Sequence, residues 1–156
     1  MLATNNDTQT STINYEILTP LELCNPSLQQ SIVSFLYREL GQYRDPEEDI
    51  RACLEYIMDT NKGGQVFLAR DPEKVIVGAV LLTKTNMDLF VPPYLLVYIA
   101  TAERMRGKGV GKKLLETVRD TVKAPVALHV EHDNPAKRLY ERMGFTSKYA
   151  EMRLYP

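Results

Sequence analysis

The sequence predicts an α/β fold, a mixed α+β sheet with helices on both faces, in the order β-α-α-β-β-β-α-β-α-β. Two observations support this prediction. Apolar residues follow a helical period in four segments, and the segments between them are short β-rich runs. The run YLLVYIA, residues 94–100, is apolar on both faces, as expected of a central strand. The 156-residue chain is 44% hydrophobic, and residues 13–156 fit a single globular domain.

The N-terminal part is predicted to contain a disordered segment followed by a strand. Residues 1–12 are polar and have neither the basic start nor the apolar run of a targeting sequence. Ile13, Tyr15 and Ile17 then alternate with polar residues, as in a half-buried strand. The apolar run 94–100 is too short to cross a bilayer, so we expect a cytoplasmic protein without a membrane segment.

Two helices are predicted next, each opened by a capping residue and a proline. Asn25 and Pro26 begin the first helix, which ends at Gly41. Asp45 and Pro46 take the same positions in the second helix, whose first turn is acidic. The order of these signals favours two consecutive helices on the sheet.

The remaining elements follow from shorter patterns. Residues 66–70 and 75–83 are β-rich runs joined by the turn sequence DPEK, which predicts an antiparallel hairpin. The central strand leads through a glycine-rich loop into a helix that Pro125 ends. We then expect three further elements, namely a strand at 127–130, a helix at 134–143 stopped by glycine, and a last strand at 147–154.

The glycine-rich loop is the most informative segment of the chain. Residues 104–118, RMRGKGVGKKLLETV, place three glycines and five cations where a strand gives way to a helix. Glycines let backbone N–H groups approach an anion, and the helix dipole adds positive charge there. The residue order excludes a Walker loop and a dinucleotide fingerprint. From this pattern alone, a phosphate site and a turn with solvated lysines both remain open.

Two motifs together resemble those of the GCN5-related N-acetyltransferase (GNAT) family. Arg106-x-x-Gly109-x-Gly111 resembles the family's cofactor loop, and DNPAKRLYERMGF, residues 133–145, is similar to its second signature. The resemblance covers roughly residues 13–154 and implies acetyl-CoA as the cofactor. It implies cofactor-binding roles for Ile99, Ala100, Thr101, Arg106, Gly107, Lys108, Gly109, Val110, Gly111, Lys112, Asn134, Lys137 and Tyr140.

The resemblance also implies how these residues act. Backbone amides of the loop would hold the pyrophosphate, and the backbone of 99–101 would pair with the pantetheine arm. In the family, that arm enters between the central strand and the strand at 127–130, which splay apart. A backbone N–H near Ile99 or Ala100 would then meet the oxyanion of the tetrahedral intermediate.

Tyr140 is the candidate general acid, since a phenol can donate a proton to a departing thiolate. The helical spacing of Tyr140 also fits core packing, and Asn134 is expected to cap the following helix. The general base stays open because YLLVYIA contains no acid. The alternatives are a water chain and four side chains, namely Glu103, His129, Glu131 and His132.

Acceptor selection in the family depends on the connection between the first two helices and on the loop before the central strand. Here these segments are GQYRDPEED and KTNMDLFVPPY. Two sets of side chains are candidates, four acids for a cationic amine and four apolar or aromatic residues for a pocket: Asp45, Glu47, Glu48 and Asp49; Tyr37, Tyr43, Met87 and Phe90. Acids in a first helical turn are equally expected for dipole reasons.

These observations predict transfer of an acetyl group from acetyl-CoA to a primary amine of a small molecule or peptide. The alternative is a catalytically weak acyl-CoA-binding module. A nucleic-acid-binding strip of loop cations is disfavoured by the net charge of −1. Cys24 and Cys53 lack metal or disulfide spacing, so we expect core thiols and no metal. A homodimer is possible, as in relatives.

Overall fold

The structure, a computed structural model, describes residues 12–156 and contains one mixed sheet of five strands. The strands are β1 (Asn14–Ile17), β2 (Gly64–Arg70), β3 (Ile76–Lys84), β4 (Tyr94–Thr101) and β5 (Val126–Leu128). Neighbours from β1 to β4 are antiparallel, and β5 runs parallel to β4. The predicted disordered segment 1–12 lies outside the described residues except for Thr12.

Residues 12–156 form five helices. They are α1 (Pro20–Leu23), α2 (Pro26–Glu39), α3 (Glu47–Met58), α4 (Val110–Val122) and α5 (Lys137–Arg142), with 3-10 turns at Gly41–Tyr43 and Glu103–Met105. Of these helices, α2, α3 and α4 pack on the sheet. Ile57 of α3 packs against Gly64, whereas Val110 and Leu114 of α4 pack against Gly78. The pairing of Gly78 with Ala69 puts these contacts on opposite faces of the sheet. The predicted mixed sheet with helices on both faces is confirmed.

The starts of α2 and α3 test the two predicted capping residues. The Asn25 side chain accepts from the N–H groups of Ser27 and Leu28, which confirms its capping role in α2. The prediction that Asp45 caps α3 is wrong: Pro46 is the N-cap, without a side-chain bond. The Asp45 carboxylate accepts a hydrogen bond from Tyr98 instead.

Helix α1 was not predicted, although its signal is present in the sequence. Thr19 and Glu22 form a reciprocal capping box around Pro20. Because α1 has only four residues, it gives no apolar period from which a helix could be recognised.

Strand β4 contains the irregularity that shapes the site. Tyr98 pairs with Leu81 and Leu96 with Leu82, so Val97 has no partner and forms a β-bulge. On its other side, β4 pairs with β5 only from Tyr94 to Leu96. Beyond Leu96 that edge of β4 has no strand partner within residues 12–156. Pairing between the two strands therefore ends at the bulge, the place where the resemblance implied that they splay apart.

The C-terminal part departs from the prediction. Residues 145–156 contain no helix or strand, so the strand expected at 147–154 is absent. The β5 edge that would receive it is only three residues long and offers few backbone groups for pairing. Tyr149, Met152 and Leu154 are consequently exposed. No helix in the described part is long and apolar enough to span a membrane.

Helix α5 also begins later than expected, at Lys137 rather than Asn134. The turn before it is closed by bonds from Lys137 N to Asn134 O and from Arg138 N to Pro135 O. These bonds span three residues, so this turn is wound more tightly than an α-helix.

Candidate active site

The glycine loop links the end of β4 to the start of α4. Gly107 and Gly109 have φ values of 76° and 83°, in the left-handed region where other residues are strained. A Cβ atom built on either glycine would have no heavy atom within 4 Å. The loop therefore needs glycine for its backbone path and leaves open space around that backbone.

The loop presents a row of unpaired backbone N–H groups. Gly109 is the N-cap of α4 and offers no side chain to satisfy the first turn. Among the described residues, no acceptor is present for the N–H groups of Gly107, Gly109, Val110, Gly111 and Lys112. Lys108 and Lys112 are exposed beside this row. The arrangement has the donors, dipole and charge that favour a phosphate ligand.

The C-terminal end of α2 is hydrogen-bonded to the glycine loop and to the 3-10 turn before it. Arg106 Nη2 donates to the Glu39 carbonyl oxygen at 3.0 Å and lies 3.8 Å from its carboxylate. Glu39 Oε2 accepts from the Glu103 N–H at 3.0 Å, at the start of the 3-10 turn. The motif arginine thus joins the loop to the end of α2. Sequence reasoning missed Glu39 because it lies 64 residues from Glu103, beyond any local pattern.

Both motifs meet at Gly111. A Cβ there would lie 3.2 Å from Leu139 Cδ2 of α5 and 3.5 Å from Thr101 Oγ1 of β4. The first turn of α4 therefore packs closely against the second motif and the free end of β4. Ile99 and Thr101 are half-buried on β4, and Ala100 is buried.

Tyr140 lies in the core of this region and is 8% exposed. Its ring meets Phe145 edge-on, with centroids 5.9 Å apart. Burial raises the pKa of Tyr140 to about 12, so the phenol keeps its proton at neutral pH. Among the described residues its hydroxyl makes no hydrogen bond, which leaves the proton available for a ligand. Core packing and proton donation are both compatible with this position.

The turn before α5 is stabilised by Asn134 and is hydrogen-bonded to the connection between α2 and α3. Asn134 Oδ1 accepts from the Ala136 N–H at 2.9 Å within this turn. The N-cap of α5 is Ala136, without a side-chain bond, so the prediction that Asn134 caps this helix is wrong. The Tyr43 hydroxyl donates to the Asp133 carbonyl oxygen at 3.2 Å. Lys137, the first residue of α5, is half-buried.

An open cleft of about 460 Å³ lies on the α3 side of the sheet. It borders the bulge of β4 and has a mainly apolar lining with a few polar groups. The lining residues are Asp49, Ala52, Cys53, Tyr56, Thr83, Lys84, Thr85, Met87, Leu95, Val97 and Tyr98. The Tyr98 hydroxyl donates to Asp45 Oδ2 at 2.6 Å.

Only some of the residues proposed for acceptor selection lie at this cleft. Asp49 and Met87 line the cleft, and Asp45 reaches it through Tyr98. Glu47 instead pairs with Arg51 at 3.6 Å. Phe90, at 82% exposure, does not contribute to the cleft lining.

The four candidate bases lie away from the cleft. Glu103, His129, Glu131 and His132 are exposed, and none lines the cleft.

The two cysteines differ in their exposure. Cys53 packs against the core, where burial raises its pKa to about 12. Cys24 is exposed, so the prediction of a core thiol at this position is wrong. Within residues 12–156, no group of three His, Cys, Asp or Glu side chains is placed to hold a metal.

Comparison with solved structures shows the same fold in acetyltransferases. A ribosomal-protein-alanine N-acetyltransferase from Brucella melitensis biovar Abortus 2308 is 15% identical, covers 92% of this chain and 99% of its own, and has a TM-score of 0.64. Aminoglycoside N-acetyltransferase AAC(6')-Iy in complex with CoA is 17% identical over 96% and 97% of the chains, with a TM-score of 0.68. The NatC complex bound to Gag peptide and CoA is 23% identical over 86% and 84%, with a TM-score of 0.67.

Comparison of sequences identifies the family. No curated protein matches the chain significantly. The family described as acetyltransferase (GNAT) domain matches residues 62–147, more than half of the chain. This match includes the hairpin, the central strand, the glycine loop and the second motif. The chain therefore belongs to the GNAT family of acetyl-CoA-dependent N-acetyltransferases.

Proposed function

We propose that this protein transfers the acetyl group of acetyl-CoA to a primary amine of a small-molecule or peptide acceptor by direct attack of the amine. The observation that carries the proposal is the row of unpaired N–H groups in the glycine loop, which follows the part of β4 that has no β5 partner. This arrangement provides a phosphate site next to a free strand edge.

The donor side fits acetyl-CoA, which supplies an activated acetyl thioester. The amides of Gly107 and of residues 109–112 are suited to the pyrophosphate, because donors and helix dipole act on the same anion. The free edge of residues 99–101 is suited to the amide groups of the pantetheine arm, as in the addition of a strand.

The chain also has groups for the acyl-transfer chemistry. The Ala100 N–H points to β3, because Ala100 pairs with Ala79 in the register that the bond from Ala102 N to Val77 O sets. The Ile99 N–H, on the free edge of β4, would therefore stabilise the oxyanion. Tyr140 would donate its proton to the departing thiolate, and its burial keeps that proton in place at neutral pH.

The acceptor side is the cleft between α3 and the sheet. It opens beside the bulge where β4 and β5 part, so an acceptor in it would lie close to the free strand edge. Two carboxylates, Asp45 and Asp49, lie at the cleft with one ammonium group, Lys84. This excess of negative charge over an apolar lining favours a cationic amine with an apolar body.

The test is acetyl transfer from radiolabelled acetyl-CoA to a panel of spermidine, tobramycin, phenethylamine, free amino acids and a peptide with a free N-terminus. We expect acceptor-dependent release of CoA thiol and labelled amide with at least one class. Binding of acetyl-CoA without transfer to any amine would refute the proposal and favour the acyl-CoA-binding module.

A further inference from the structure

We propose that Tyr98 and Asp45 form a relay that removes the proton of the attacking amine and passes it to solvent. The inference rests on the proposed function, because it assigns the proton acceptor for that same reaction. The central strand contains no acid, so a carboxylate acceptor has to come from another element. The structure brings one from the connection between α2 and α3.

The geometry joins the cleft to the protein surface. Tyr98 lies on β4 immediately after the bulge, is 7% exposed and lines the cleft. Its hydroxyl donates to Asp45 Oδ2 at 2.6 Å, the short distance of a charge-assisted bond. Asp45 itself is exposed. A proton leaving the cleft through this pair would therefore reach bulk water.

The charged and titratable groups facing Tyr98 determine what the phenol can do. Asp45, Asp49, Cys53, Tyr56 and Lys84 lie around it from α3, its preceding connection and β3. Burial raises the pKa of Tyr98 well above its usual range, and the bond to Asp45 and the charges of Asp45, Cys53 and Asp49 raise it further. Tyr98 therefore stays neutral and can take a proton only while giving one to Asp45.

The proton transfer balances with the acyl transfer. The nucleophile is the neutral amine, which has already lost its ammonium proton to water. As its nitrogen forms a bond to the acetyl carbon, one of its remaining protons moves to the Tyr98 oxygen. The Tyr98 proton moves at the same time to the Asp45 carboxylate, which releases it to water. The bond between the acetyl carbon and sulfur breaks, and the thiolate receives a proton from Tyr140, which is then restored by solvent.

The test compares Tyr98→Phe, Asp45→Asn and Asp45→Glu with the parent protein. Glu55→Gln is the matched control, because Glu55 is an exposed acid of α3 that does not line the cleft. The acceptor is whichever of spermidine, tobramycin, phenethylamine and the peptide gives the highest kcat/KM. The readouts are kcat and KM across pH, acetyl-CoA affinity by calorimetry, and thermal unfolding.

We expect Tyr98→Phe and Asp45→Asn to lower kcat about 10²-fold or more, with acetyl-CoA affinity and Tm close to the parent values. Asp45→Glu, which keeps a carboxylate at this position, should partly restore kcat. Parent-like kcat and pH profiles in both variants, from a parent protein that turns over, would overturn the relay alone. A parent protein that acetylates none of the amines would overturn the proposed function, and the relay with it.

Discussion

Replacing Gly109 by alanine tests the glycine loop, with Gly41→Ala as its matched control. Both glycines have positive φ, 83° and 58°, and neither has a heavy atom within 4 Å of a built Cβ. The strain of placing alanine there is about 1–2 kcal/mol at either position, so both variants should lose similar stability. Only at Gly109 does the new methyl group stand beside the unpaired amides of the loop.

The expected loss of affinity follows from those amides. A hydrogen bond to a charged group contributes about 1.5–3 kcal/mol, so blocking one phosphate contact weakens binding roughly 10- to 150-fold. Isothermal calorimetry with CoA should show this loss for Gly109→Ala, whereas Gly41→Ala should bind like the parent. Denaturant unfolding checks that the two variants are equally folded. Equal CoA affinity in the two variants would refute the role of the loop backbone.

Two further predictions concern the general acid and the packing of β2. Tyr140→Phe should lower kcat about 10²-fold, because it removes the proton that the phenol donates, and acetyl-CoA affinity should stay nearly unchanged. An unchanged kcat in steady-state assays would show that Tyr140 is not the general acid. Gly64→Ala should cost roughly 2–5 kcal/mol of unfolding free energy, since its Cβ would collide with the Leu82 carbonyl oxygen. Gly144→Ala, with positive φ and open space, is the control; equal losses in urea unfolding would contradict this reasoning.

Local patterns were sufficient for most of the architecture. The cap and proline at Asn25 and Pro26, the hairpin turn and the doubly apolar run 94–100 each determine structure through neighbouring residues. The glycine loop was recognisable because its conformation requires glycine at fixed spacing. The loop's position after the central strand follows from the same pattern.

The parts that sequence reasoning missed depend on contacts between distant segments. Asp45 carries a capping signal, but its carboxylate is used by Tyr98, which lies 53 residues away. Glu39 supports the loop from another helix. The strand predicted at 147–154 is absent, because the short β5 provides little edge for it. Contacts between segments this far apart in the sequence produce no local residue pattern from which they could be predicted.

The most direct test of the central claim is the backbone amide NMR of Gly107, Gly109 and Gly111 during titration with acetyl-CoA. If the loop amides bind the pyrophosphate, these three resonances should shift strongly and saturably, together with those of Val110 and Lys112. Binding that leaves these resonances in place, or no binding at all, would contradict the account.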